Sequence, residues 1–444
     1  MRRNQAMQFF LHLRVRASTC SRASRKEEKF LKRQCLESRL QPASLKGKKQ
    51  PPKVRDSKLM TSTRVRIDWF MFAIAAGLAV FGTMMVYSAS AMISQRETGG
   101  ASQFTYFYKQ FAFTAIGLAA MFVASRVDYR RYMAPWVVYG SLGLTVVCLV
   151  AVFAFPEING ASRWIRFAGL SFQPSEMAKI VLPIFLAFFL TKNESSIGDL
   201  KSTVVPCIGA LVLLGGLIFL EPDLGTTIVL CAIFSSVYFA AGAKLLHIAS
   251  VAAMMVIGGV GAIVFAPWRV ERLMAFLDPF KHSDDAGYQV VQSLYAIGSG
   301  GVLGEGFAKG QQKLFYLPYP YSDFIFSVVG EEFGLIGTLA VVIAFGLLLW
   351  RGSRAALMAP DRFGTLLGIG LITGIIVQAL FNISVVTSIL PAKGIPLPFI
   401  SYGGSSVIIT LVAVGILLNI SQASSAKIEP ANDEVVHRKK GRKV

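Results

Sequence analysis

Apolar stretches alternate with short polar breaks along most of this chain. Ten are legible: 67–89, 107–125, 135–155, 174–191, 203–220, 224–242, 245–267, 323–350, 364–388 and 397–421. Each lies near the ~20 residues that a helix needs to cross a bilayer. The pattern predicts an all-α polytopic membrane protein of about ten transmembrane helices. Spans four and six are short or carry small polar residues, so they are expected to face protein rather than lipid. One break stands out, the polar and Gly-rich segment 268–322 between spans seven and eight. A loop of that length among short ones is usually functional. No internal repeat is visible, which counts against an inverted-repeat transporter.

Composition agrees with the pattern. Of 444 residues, 54% are hydrophobic and only 16% charged, against about 25% charged in soluble domains. The net charge of +20 is concentrated. Residues 1–66 hold nineteen Lys/Arg against four acids. That tail lacks the apolar core and cleavage site of a signal peptide. It reads as a basic cytoplasmic arm suited to anionic lipid rather than nucleic acid. Residues 1–59 also read as an upstream extension, since Met60 looks like an ordinary start before span one. The basic residues after spans two, four, six, eight and ten share the side of this tail, which predicts that both termini are cytoplasmic. Trp69, Trp136, Trp268 and Trp350 fall at predicted helix ends, as an aromatic belt requires. Cys20, Cys35, Cys148, Cys207 and Cys231 show no paired spacing, and the four histidines are far apart, so neither a disulfide framework nor a metal cage is indicated.

The candidate chemistry sits on the predicted outer side. Asp323 opens span eight, and Glu331 and Glu332 follow inside it. An ionisable group within a membrane is costly and usually faces a polar cavity or does chemistry. Asp323 could simply cap its helix, as Asp223 could cap span six. Glu331 and Glu332 could pair with Arg or Lys in the bundle. Alternatively, Asp323 is a general base at the membrane border, where partial burial raises its pKa. Arg163, Trp164 and Arg166 in the first large loop, Arg269, Arg272, Lys309 and Lys313 in the long one, and Lys393 run against the positive-inside tendency. A ligand such as a lipid pyrophosphate would explain them. The run 298–306 has neither the preceding strand nor the Gly-Lys-Ser/Thr of a nucleotide loop, so no nucleotide is expected.

Several motifs then become specific. Gly160-Ala161-Ser162-Arg163-Trp164-Ile165, Gln173-Pro174-Ser175-Glu176-Met177-Ala178-Lys179, Glu221-Pro222-Asp223-Leu224-Gly225-Thr226 and Gly287-Tyr288-Gln289-Val290-Val291-Gln292-Ser293 resemble the SEDS family (shape, elongation, division and sporulation). So do Asp323-Phe324-Ile325-Phe326, Glu331-Glu332-Phe333-Gly334 and Leu397-Pro398-Phe399-Ile400-Ser401-Tyr402-Gly403-Gly404. The resemblance covers about residues 67–421, between the basic tails 1–66 and 422–444. Lys393 and the segment 311–318 look more like the FtsW branch than the RodA branch.

The resemblance implies a peptidoglycan glycosyltransferase in the bacterial cytoplasmic membrane, acting at the division septum. Its substrate is lipid II, added to an undecaprenyl-pyrophosphate-linked glycan. A class B penicillin-binding transpeptidase and other divisome proteins are the implied partners, and a divalent cation, Mg or Mn, the implied cofactor, with its ligands unassigned. It marks Asp323 as catalytic. Arg163, Trp164, Arg166, Lys313 and Lys393 are the candidates for substrate binding, and Asp223, Gln289, Glu331, Glu332 and Ser401 are in supporting places. Where many members carry Leu-Pro-Glu-x-His-Thr-Asp, this chain reads Leu317-Pro318-Tyr319-Pro320-Tyr321-Ser322-Asp323, so a mechanism using that histidine is in doubt. Two other readings stay open: a lipid II flippase using the intramembrane acids, and a non-catalytic scaffold recruiting a transpeptidase.

Overall fold

The computed structural model describes residues 67–157, 161–167, 170–264, 267–284 and 287–428. The expectations for the N-terminal arm, the 1–59 extension, the far C-terminal tail and Gly160 lie outside the described residues. The chain is mostly helical. In order come α1 (Trp69–Glu97), α2 (Thr105–Arg126), α3 (Pro135–Ala151), a hairpin of β1 (Ile165–Phe167) and β2 (Leu170–Phe172), α4 (Pro174–Lys192), α5 (Val205–Leu220) and α6 (Leu224–Ala240). Then follow α7 (Leu245–Val264), α8 (Pro267–Leu277), α9 (Tyr288–Ser299), α10 (Ile325–Leu357), α11 (Arg362–Val386) and α12 (Gly404–Ile428).

Among the described residues, eight helices are long and apolar enough to cross a membrane: α1, α2, α3, α4, α5, α10, α11 and α12, with α3 and α5 each extended by a short non-α turn. Two further apolar helices are shorter, Leu224–Ala240 and the stretch Ala249–Gly261 within α7. Three expectations need correction. The segment 268–322 is not a plain loop but holds α8 and α9. The last span starts at Gly404, because 397–403 forms a non-helical strap, and it runs to Ile428, past the expected boundary at 421. The first large loop contains a hairpin, with Arg166 opposite Ser171.

Local chemistry sets the helix starts. Asp68, Asp223 and Asp361 cap α1, α6 and α11, each accepting from a backbone amide one turn in, the preferred role of Asp at this position. Pro135 and Pro174 open α3 and α4, where the missing N–H costs nothing. Helix α11 is the hub, packed against α10, α6, α4 and α12. Small residues allow that approach. A Cβ on Gly370 of α11 would lie 2.5 Å from Cβ of Pro183 in α4. Such small-residue contacts supply van der Waals packing where lipid gives no hydrophobic drive. As expected for span four, α4 faces protein, with 78% of its apolar window buried. Trp69, Trp136 and Trp350 are exposed, as a belt requires.

Helix α10 breaks at Gly334, whose φ of 62° and ψ of −157° leave the helical region. The Gly-rich segment 300–306 lies across the break. Leu335 N donates to Gly301 O (2.9 Å), while Glu305 N and Gly306 N donate to the carbonyls of Glu331 and Glu332 (3.0 Å each). Non-helical backbone at membrane depth requires this kind of protein partner. The acids beside the break are engaged too. Glu332 pairs with Lys313 (2.5 Å), and Ser88 of α1 joins them. Glu331 accepts from the amides of Gln311 (2.5 Å) and Gln312 (2.9 Å), so its partner is backbone rather than the expected cation.

A Cβ on Gly334 would fall 2.5 Å from Gly304 N, in a backbone conformation that side chains rarely adopt. Gly334→Ala is therefore expected to destabilise the fold by about 1–3 kcal/mol or more. Gly77→Ala, with open space around it, is expected to be neutral or slightly stabilising. Thermal unfolding of the two purified variants in detergent checks the contrast. Equal melting temperatures would remove the strain argument.

Candidate active site at the head of the broken helix

Asp323 does not cap α10. Phe324 holds the cap position, and no side chain caps the helix there. The aspartate is instead held by its backbone. Asn382 of α11 donates to Asp323 O (2.8 Å) and to Ile395 O (2.7 Å). Ser401 donates to Ser322 O (2.5 Å) and accepts from Leu397 N (2.7 Å). Tyr402 N donates to Tyr321 O (2.9 Å). One turn from Asn382, Gln378 donates to Pro396 O (2.9 Å) and accepts from Lys179, itself paired with Glu176 (2.7 Å). The strap after α11 is thus stitched to the segment that carries Asp323, and both are stitched to α11. Each bond made to a buried carbonyl avoids an unmade-bond cost of about 1–3 kcal/mol.

The carboxylate itself is half-buried, and no described group donates a hydrogen bond to it. Gly394 lies directly against it: a Cβ there would be 2.6 Å from Asp323 Oδ2. Burial pushes Asp323 up to about 6, with Arg163 opposing and Asp223 adding to the shift. At neutral pH it is mostly ionised and still basic enough to take a proton.

Positive charge gathers beside it. Arg163 donates to the carbonyls of Glu221 (3.1 Å) and Pro222 (2.5 Å) in the α5–α6 turn. Lys393, next to Gly394, is pushed down to about 8 by burial and then by Arg269, Arg272 and Arg163, with Asp223 pulling the other way. Glu221 is fully buried with neither carboxyl oxygen hydrogen-bonded. Burial and Asp223 push it up to about 8, so it stays protonated at neutral pH and adds no negative charge to the group. The group is therefore rich in cations around one reactive carboxylate, an arrangement suited to a dianionic ligand.

The expected residues divide. Asp323, Asp223, Arg163 and Lys393 come together, with Ser401 behind them. Trp164 is half-buried beside Arg163, and Arg166 is exposed on β1. Gln289 lies in the first turn of α9. Lys313 is a correction: it is buried against Glu332 and Ser88, so it is not available to a ligand as an outer cation. Asn382, Gln378, Gly394 and the Glu176–Lys179 pair were not singled out from sequence. Polar residues one turn apart in an apolar span, and acid and base at i,i+3, were the available signals. Tyr321 fills the place of the usual histidine, its ring 4.8 Å from Tyr106 and 5.7 Å from Tyr402. Among the described residues, no three His, Cys, Asp or Glu side chains converge to hold a metal ion.

With this geometry in hand, the likeness to known proteins is specific. Residues 68–426 match the model of the cell cycle protein family that groups FtsW, RodA and SpoVE. Stage V sporulation protein E of Bacillus subtilis (strain 168) is 38% identical over 371 residues, 82% of this chain and 100% of that protein. The probable peptidoglycan glycosyltransferase FtsW of Geobacter metallireducens is 39% identical over 359 residues, 80% of this chain and 95% of that one. A solved structure on the coordination of polymerization and crosslinking by a peptidoglycan synthase complex matches with TM-score 0.65 and 26% identity, over 81% of this chain and 98% of that one. The rod shape determining protein RodA of Thermus thermophilus matches with TM-score 0.58 and 26% identity, over 80% and 97%.

A carboxyl whose pKa is higher in the folded than in the unfolded chain favours folding at low pH and loses that contribution as pH rises through the folded value. Asp323→Asn should therefore stabilise the protein at pH 7.5, by about 1–3 kcal/mol. The gain should shrink below about pH 6 and vanish near pH 4, as the native carboxyl becomes protonated in both states. Melting curves of both proteins across this range check it; a pH-independent difference would mean that the carboxylate is not strained by burial.

Proposed function

The chain belongs to the FtsW, RodA and SpoVE family of cell cycle proteins, and we propose on that basis that it is a peptidoglycan glycosyltransferase whose general base is Asp323. It is a multi-pass membrane protein. The observation that carries the residue assignment is the carboxylate that no described group hydrogen-bonds, set beside a cluster of cations. Asp323 takes the proton of the GlcNAc 4-hydroxyl of lipid II. That oxygen attacks the anomeric carbon of the MurNAc at the end of the growing strand, with inversion. The carbon–oxygen bond to the diphosphate breaks, and undecaprenyl diphosphate leaves with the bonding electron pair. The proton on Asp323 then passes to water. Arg163 and Lys393, supported by Arg269 and Arg272, meet the charge that develops on the leaving group, where preorganised positive charge contributes most.

The positive-inside pattern supports an orientation with both termini in the cytoplasm and Asp323 at the outer face. The two shorter apolar helices would then bring the membrane crossings to ten. The likeness to a peptidoglycan synthase complex supports a class B penicillin-binding transpeptidase as partner, and the FtsW-named relatives support septal work alongside other divisome proteins. The flippase reading draws less support from these acids. Glu331 and Glu332 are each 1% exposed and bound to the 311–313 turn rather than lining a path.

Polymerisation of lipid II by the purified chain with its transpeptidase, followed on gels, is the test. Asp323→Asn is expected to lower the rate at least about 100-fold, and the wild-type rate should rise with pH through about 6 as Asp323 ionises. Gly394→Ala, which places a methyl against the carboxylate, should lower the rate while the protein stays monodisperse. Wild-type speed in a folded Asp323→Asn protein would sink the general-base assignment. Lipid II translocation that survives that change would favour the flippase.

A further inference from the structure

The cavity of about 430 Å³ between α1, α10 and α12 lies at the opposite end of the bundle from Asp323. Arg351 is about 25 Å of helix beyond the break in α10, at 1.5 Å per residue. Its walls include Asp68, Trp69, Phe70, Arg351, Arg354 and Met358. We propose that this cavity binds the phosphate headgroup of an anionic phospholipid.

Four observations converge on that ligand. First, the site has donors left over. Arg351 Nη2 pairs with Asp68 Oδ1 at 3.1 Å, but its buried Nε has no hydrogen-bond partner. Arg354 is exposed one turn further on. Second, the charge is unbalanced, two guanidiniums to one carboxylate among the residues lining the cavity. Third, the walls are amphipathic. The Arg351 guanidinium lies over the rings of Phe70 (5.2 Å) and Trp350 (5.5 Å). Met358 and Ala355 offer apolar surface below. Fourth, Trp69 and Trp350 are exposed, at 63% and 55%, as residues at the headgroup level are. Basic pockets between helices at that level are where lipid phosphates are held. The phosphate would accept from Arg351 Nε and Arg354, and the glycerol and first acyl carbons would lie on Met358 and Phe70.

The test uses the full chain in bilayers of mixed phosphatidylglycerol and phosphatidylcholine, extracted in mild detergent, with retained lipid measured by mass spectrometry. Phosphatidylglycerol should be retained well above its share of the bilayer. Arg354→Gln, at an exposed position with little risk to folding, should reduce that retention about fivefold, and Arg354→Lys should preserve it. Added inorganic phosphate should not strip the lipid. Retention in the bilayer ratio, or retention unchanged by both Arg354→Gln and Arg351→Gln, would overturn the proposal. Complete displacement by inorganic phosphate would also overturn it, because the site would then take the free anion and not the lipid.

Discussion

A helix inside a membrane cannot break unless other protein groups take up its freed backbone, and the break in α10 is the constraint on which the rest of this structure depends. At Gly334 the ladder stops, and the Gly-rich segment 300–306 supplies donors and acceptors across the gap. The same break turns Glu331 and Glu332 towards the 311–313 turn, where one collects backbone amides and the other a buried lysine. A buried charge is tolerated best when paired and hydrogen-bonded; one short stretch of loop pairs Glu332 and hydrogen-bonds Glu331, while the Oε2 of each has no partner among the described residues. The chain leading to Asp323 is thereby fixed at two places before it reaches the aspartate. The glycines at 300–306 are needed for close approach, which is why that run resembles a phosphate loop in composition and not in role.

The second fixed point is α11. It is apolar enough to cross a membrane, yet Gln378 and Asn382 project from it one turn apart and hold the carbonyls of Pro396, Ile395 and Asp323. Two irregular segments that would otherwise expose unpaired backbone are closed in this way. Precision follows from that closure. Asp323 is placed by bonds to its main chain, so its side chain receives no hydrogen bond from a described group, whereas Asp223, in a more deeply buried turn, spends its oxygens on Thr226.

Sequence made the spans readable because each is a long apolar run, and hydropathy needs no knowledge of neighbours. It made Asp323, Arg163 and Lys393 readable because charge at the edge of an apolar span or on the predicted outer side is out of place. Other features depended on contacts across the fold. Lys313 and Arg163 look alike as outer cations, and only the position of Glu332 and Ser88, 19 and 225 residues away from Lys313, separates them. Helices α8 and α9 were hidden because a polar, Gly-rich composition masks short helices. Gly394 gave no signal, since its role is to be small beside a carboxylate distant in sequence. The strap 397–403 read as helix because its apolar content is high, but Pro398 and the positive φ of Phe399 (66°) hold it open.

The departure at Tyr321 bears on how much of the surrounding motif the chemistry needs. Where the resemblance leads one to expect histidine, this chain has a phenol packed on Tyr106 and Tyr402. The bonds that place Asp323 run through the backbone carbonyls of Tyr321, Ser322 and Asp323. A change of side chain at 321 leaves all of them intact. A diphosphate leaving group needs no general acid, so a single base and a field of cations suffice for the reaction. The histidine side chain is then not needed to place the proposed base, and the proposed transfer rests on the carboxylate, its glycine neighbour and the clustered arginines and lysine.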